Sequence, residues 1–110
     1  MRGSYMNIEV IKKKLKEVLE DIQEISELDC PPLNDKTIPV KELPQFDSKI
    51  WPVVTSLVAD GLEIFIPNDI NIFCNENNQD KFSIEQIAEK ILAIHEKQLL
   101  DLPKKDVANQ

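Results

Sequence analysis

Glycine is nearly missing from this chain, with two in 110 residues. A loop that cradles phosphate needs glycine where backbone closes on the ligand, and a β-rich fold needs it in tight turns. Both are therefore disfavoured. Aromatic residues are scarce at 5%, so a core must draw on Ile, Leu and Val from the 42% of residues that are hydrophobic. The single histidine, His95, and two cysteines, Cys30 and Cys74, lie outside any CxxC spacing and are too few for a zinc site. Basic residues are outnumbered, 13 Lys and Arg against 20 Asp and Glu, for a net charge of −7 and a pI near 4.7. Nucleic-acid binders ordinarily show a basic face, which argues against DNA or RNA as partner; an acidic domain docks more naturally on basic surfaces. No apolar run approaches the length of a membrane span. No paired acid and base, nucleophile–histidine spacing or metal constellation marks an enzyme. The expectation is a cytoplasmic monomer with both thiols reduced.

What is present is helical periodicity. In "NIEVIKKKLKEVLEDIQEI" the residues Ile8, Ile11, Leu15, Val18, Leu19, Ile22 and Ile25 form one stripe. Asn7 can cap the helix start. The cluster Lys12, Lys13, Lys14 and Lys16 reads as the solvated opposite face. Residues 29–46 contain Pro31, Pro32, Pro39 and Pro44, which forbid a long helix. This long loop is expected to pack through Leu33, Ile38, Val40, Leu43 and Phe46. A second helix is expected from "DSKIWPVVTSLVADGLEI", with Asp47 or Ser48 as N-cap. Pro52 is tolerated only in a first turn, so regular helix is expected to begin nearer Trp51. Ile50, Val53, Val54, Leu57, Val58 and Leu62 form its stripe, with Leu57 expected in the core. Pro67 and Asp69 suggest one short helical turn. The last helix opens with Ser83 and Gln86 in capping-box spacing and carries Ile84, Ile87, Ala88, Ile91 and Ile94. The fold expected is all-α: three main helices, one short helix and a long first loop. Residues 1–6 read as a tag remnant, 7–97 as the domain and 98–110 as a polar tail.

This layout resembles the acyl carrier protein family, across about residues 7–97. The loop closes as "VKELPQFDS", with an Asp-Ser pair at the helix start. The helix then runs into "LEIFIPND", and the final helix reads "FSIEQIAEKI". The resemblance implies a small antiparallel helical bundle with no catalytic centre. It implies 4′-phosphopantetheine attached covalently to Ser48, with Asp47 ordering the turn and helping to bind the group. Acyl or peptidyl cargo would ride as a thioester in a specialised lipid or secondary-metabolite pathway. The implied partners are a phosphopantetheinyl transferase and acyl-transferring or acyl-activating enzymes, contacted through Lys49, Trp51, Asp60 and Glu63. Lys49 stands where the family usually has an apolar residue, and acidic residues are sparse at the helix start. About seven residues near "CNENNQD" look inserted.

Two other readings compete. One is a carrier-like adaptor without a prosthetic arm, acting through Lys49, Trp51 and the long loop. The other is a small acidic helical regulator or inhibitor. From local residues alone, Ser48 is an ordinary N-cap, Trp51 and Cys74 are core fillers, and His95 is an exposed or half-buried helix residue.

Overall fold

Four helices in chain order make up the regular structure among the described residues: α1 (Ile8–Ile25), α2 (Pro39–Glu42), α3 (Trp51–Leu62) and α4 (Ile84–Asp101). The computed structural model describes residues 6–67, 69–75 and 80–101. Among these there is no strand, only an isolated antiparallel bridge between Cys74 and Lys81. The expected all-helical bundle of three main helices and one short one is what forms. The short helix is not where Pro67 suggested. Residues 64–67 and 69–73 are non-helical, and the single turn lies in the first loop, with Pro39 at its start. Proline is preorganised for that position and has no N–H to leave unpaired.

α1 is the hub against which α3 and α4 pack. Asn7 caps it as expected, its Oδ1 accepting from Val10 N–H at 3.0 Å. Ile11, Leu15, Val18, Leu19 and Ile22 are buried, whereas Ile25 at the helix end is exposed. α4 contributes Ile84, Ile87, Ala88 and Ile91, with Ile94 half-buried against the same core. The capping box forms: Ser83 N–H donates to Gln86 Oε1 at 2.9 Å, and Gln86 N–H donates to Ser83 Oγ at 3.3 Å. α4 continues through Asp101, so Gln98, Leu99 and Leu100 are helical; the tail from Leu102, like the first five residues, lies outside the described residues.

α3 corrects the sequence reading on one face. Val54, Val58 and Leu62 are its buried residues, at a four-residue repeat, while Val53 and Leu57 are 45% and 42% exposed. The apolar run is wider than the contact available to it. α3 lies on α1 along one narrow stripe, and residues 53 and 57 fall one step round the helix from it.

The proline-rich loop is fastened to both long helices. Gln23, sealed inside α1, donates from Nε2 to Asp29 O at 3.0 Å and to Pro44 O at 3.2 Å. Lys12 corrects the reading of a solvated lysine face. It is 7% exposed, and its Nζ lies 2.9 Å from Asp35 Oδ2, with Lys16 Nζ 3.5 Å from Asp35 Oδ1. The same loop receives the start of α4: Ile84 N–H donates to Thr37 O at 2.8 Å, and Glu85 N–H to Asp35 O at 3.0 Å. Leu43 and Phe46 are buried, and Leu33 and Val40 pack half-buried on the core.

The Lys12 ammonium donates to Asp35 and holds its carboxyl below the ordinary carboxylate range, while Asp35 in turn raises the Lys12 ammonium above its usual value. A depressed carboxyl stabilises the fold above its unfolded pKa of about 3.9, and that contribution is lost as pH falls through the folded value. Asp35→Asn should therefore be less stable than wild type by a constant margin across neutral pH. The two urea-unfolding curves should converge as pH falls below about 4. In the same assay Val58→Ala should cost about 1–3 kcal/mol, from lost burial plus a cavity. Leu57→Ala, though it removes more carbon, should cost under about 1 kcal/mol because the side chain is already part-exposed.

Candidate functional site

Ser48 stands between two anchored aromatic residues. Two residues before it, Phe46 is buried with its ring 5.3 Å edge-on from the Phe73 ring; three residues after it, the Trp51 ring lies 5.9 Å from the same Phe73. Phe73 is fully buried, so this trio pins the turn on both sides of the serine while Asp47, Ser48 and Lys49 stay exposed.

The turn is ordered by Asp47 and not by Ser48. Asp47 Oδ1 accepts from Lys49 N–H at 3.0 Å, and Asp47 O accepts from Ile50 N–H at 3.0 Å. α3 begins at Trp51 with Ile50 as N-cap and no side-chain cap. The expected start near Trp51 holds, but the expected capping by Asp47 or Ser48 does not. Pro52 occupies the first turn, where its ring fits. No hydrogen bond engages the Ser48 hydroxyl among the described residues, so it is not spent on holding the helix.

A groove of about 630 Å³ runs from Ser48 along one side of α3. Trp51 and Ala59 of α3 form one wall; Ile64, Phe65, Ile66 and Phe73 form the other. Two carboxylates, Asp60 and Asp69, line it as well. The second wall is held in place from α4, where Gln98 Nε2 donates to Phe65 O at 2.8 Å. Trp51 is half-buried, yet its indole Nε1 is closed off from solvent with no acceptor among the described residues. A buried donor left unpaired costs about 1–3 kcal/mol.

The sequence-predicted residues thus divide. Ser48, Trp51 and Asp60 line one groove, and Asp47 orders its edge. Lys49 is exposed beside it without lining it. Glu63 is exposed at the end of α3 in the left-handed region, φ 59° and ψ 42°, and the chain reverses there as Ile64 N–H donates to Ala59 O at 3.0 Å. Sequence reasoning missed the second wall and Asp69. Their positions depend on Phe73 docking between Phe46 and Trp51, a contact across more than twenty residues that no local pattern announces. Cys74 is buried and Cys30 exposed, both free. Partial desolvation, helped by the Glu20 charge, pushes the Cys30 thiol up, away from the thiolate form. Among the described residues no group of His, Cys, Asp and Glu is placed to hold a metal ion, and no helix is long and apolar enough to cross a membrane.

Comparison with known proteins finds no matching protein family, no matching curated protein and no matching solved structure.

The geometry at Glu63 carries its own test. A residue with a Cβ pays about 1–2 kcal/mol to enter the left-handed region, and glycine does not, although glycine loses more freedom on folding. Glu63→Gly should raise stability by up to about 1 kcal/mol in urea or thermal unfolding. A loss of stability would mean the glutamate side chain holds the turn.

Proposed function

We propose that this chain is a carrier domain that holds 4′-phosphopantetheine on Ser48 and bears acyl or peptidyl cargo as a thioester on the arm. The observation that supports this reading is the placement of the Ser48 hydroxyl. It is exposed, unengaged, and set on a braced turn where it lines a groove with apolar walls and polar residues between them. A separate transferase would direct the Ser48 oxygen onto the diphosphate of coenzyme A. A serine–phosphate bond forms, the bond to adenosine 3′,5′-bisphosphate breaks, and the serine proton passes to the transferase's base. The chain itself needs no acid, base or metal for this. Its task is to present one hydroxyl in a fixed position and to keep the carried group from water. The groove provides the apolar surface for that second task, because burying a hydrocarbon chain is favourable by about 0.8 kcal/mol per methylene. Asp47 supports the turn from within, and Lys49 is the charged group a transferase would meet.

An adaptor without an arm is the second reading. What favours it is the outer face of α3, where Val53 and Leu57 are exposed, with Lys49 exposed in the turn before the helix. That strip would suit a partner's apolar surface with no covalent chemistry.

The experiment is incubation of the full chain with coenzyme A and a broad-specificity phosphopantetheinyl transferase, read by intact mass. Wild type should gain the mass of one arm and Ser48→Ala none. Ser56→Ala, which removes another hydroxyl of the same groove, should be modified like wild type. Because Ser48 caps nothing, Ser48→Ala should keep its circular dichroism and unfolding midpoint, within about 0.5 kcal/mol. Wild type that stays unmodified with each transferase tried would leave the adaptor as the better reading.

A further inference from the structure

We propose that the groove beside Ser48 is selective for an apolar chain carrying a positively charged amine, and rejects the carboxylate of a fatty acid of equal length. If Ser48 carries an arm, this extends the carrier reading by naming the cargo: aminoacyl or amine-bearing acyl groups in preference to plain fatty acyl groups. The preference belongs to the groove and exists whether or not the arm is attached.

Two aromatic residues with exposed surface and two carboxylates meet in this one cavity. Trp51 and Phe65 line it, and Asp60 and Asp69 contribute negative charge; Phe73, also in the lining, is fully buried. Among the described residues no Lys, Arg or His lines it, and neither aspartate forms an ion pair. The faces of aromatic rings attract cations, tryptophan most strongly, and the attraction grows where water is excluded. The carboxylates add Coulomb attraction for an ammonium and repulsion for a carboxylate, both stronger in a partly enclosed groove than in bulk water. Apolar walls alone would suit any hydrocarbon. What distinguishes this groove is that, among the described residues, every charge in its lining has the same sign and none is paired with a cation. Phe65 stands 67% exposed in its wall, an orientation that leaves much of an aromatic side chain uncovered. In an isolated domain that exposure is unfavourable, and a ligand chain in the groove would cover it.

The lone tryptophan of the chain lies in the site, so its fluorescence reports occupancy directly. The test titrates the unmodified full chain near neutral pH with octylammonium, octanol and octanoate, each below its critical micelle concentration. Octylammonium should bind at least about tenfold more tightly than octanoate, with octanol between them. The margin should narrow as salt is raised, since screening weakens partly exposed charges. An acidic chain also attracts cations without any site, so two variants with the same change in net charge separate the cases. Asp60→Asn combined with Asp69→Asn should lose most of the octylammonium preference while octanol binding stays unchanged. Glu20→Gln combined with Glu24→Gln, on the exposed side of α1, should keep it. Equal or tighter binding of octanoate by wild type would overturn the proposal. So would a preference that survives loss of both aspartates, one that falls equally in both double variants, or no response to any of the three ligands. None of these outcomes depends on whether a transferase modifies Ser48, so the failure of either reading can be told from that of the other.

Discussion

The side-chain amide of Gln23 is the interaction on which the arrangement of this protein rests. It is buried in α1 and donates to two carbonyls, Asp29 O and Pro44 O, which bracket the proline-rich connection. Prolines cannot donate backbone hydrogen bonds, and four of them lie in this segment. Beyond the single turn of α2 the loop therefore satisfies little of its backbone by regular structure, and several of its carbonyls are met from elsewhere. Gln23 meets two of them. The N-terminus of α4 meets two more, at Asp35 and Thr37, and Lys12 holds the Asp35 carboxylate. A connection that would otherwise wander becomes the piece that joins α1 to α4. It also delivers Phe46, and hence Ser48, to one place.

From that fixed point the groove follows by packing. Phe73 fills the space between Phe46 and Trp51, which draws the segment after α3 back across the bundle. The return path cannot close tightly on α3. Its outward side chain, Phe65, is largely exposed, and its backbone is held by Gln98. The result is a cavity with one wall from a helix and the other from irregular backbone. The unpaired Trp51 N–H belongs to the same compromise. The ring packs against Phe73, and no acceptor among the described residues reaches its nitrogen.

The proposed chemistry asks little of such a scaffold. A carrier must keep one hydroxyl accessible without letting it drift, and here order is separated from reactivity. Asp47 accepts the turn's hydrogen bonds, so the neighbouring serine remains unengaged. A serine that served as the helix cap would have its oxygen occupied by backbone N–H groups. The shift of the cap to Ile50 is thus consistent with use of Ser48, although it departs from the simplest reading of an Asp-Ser pair. The acidic character of the whole chain is present at a smaller scale in the groove, where Asp60 and Asp69 are the lining carboxylates.

Much of this was legible in the residues themselves. Asn7 and the Ser83–Gln86 pair mark helix starts through local hydrogen bonds, and the isoleucine and leucine stripes of α1 and α4 mark buried faces. Both signals depend on neighbours within about one helical turn. Pro52 likewise announced that α3 starts near Trp51. The sequence could not show how much of a wide apolar run would be covered, so Val53 and Leu57 looked like core and proved to be surface. It could not separate Lys12 from its solvated neighbours, because the difference is Asp35, 23 residues away. Nor could it place a short helix at Pro39 instead of Pro67, since either proline suits a first turn and the packing of the loop selects one. By itself, the sequence determined where helices form and that their common core is aliphatic, because those outcomes depend on spacing and local backbone chemistry. The tertiary structure alone decided which faces are buried and that Ser48, Trp51, Asp60 and Asp69 share a groove. Those outcomes depend on contacts between segments far apart in the chain, where burial is settled only once every element competes for the same core.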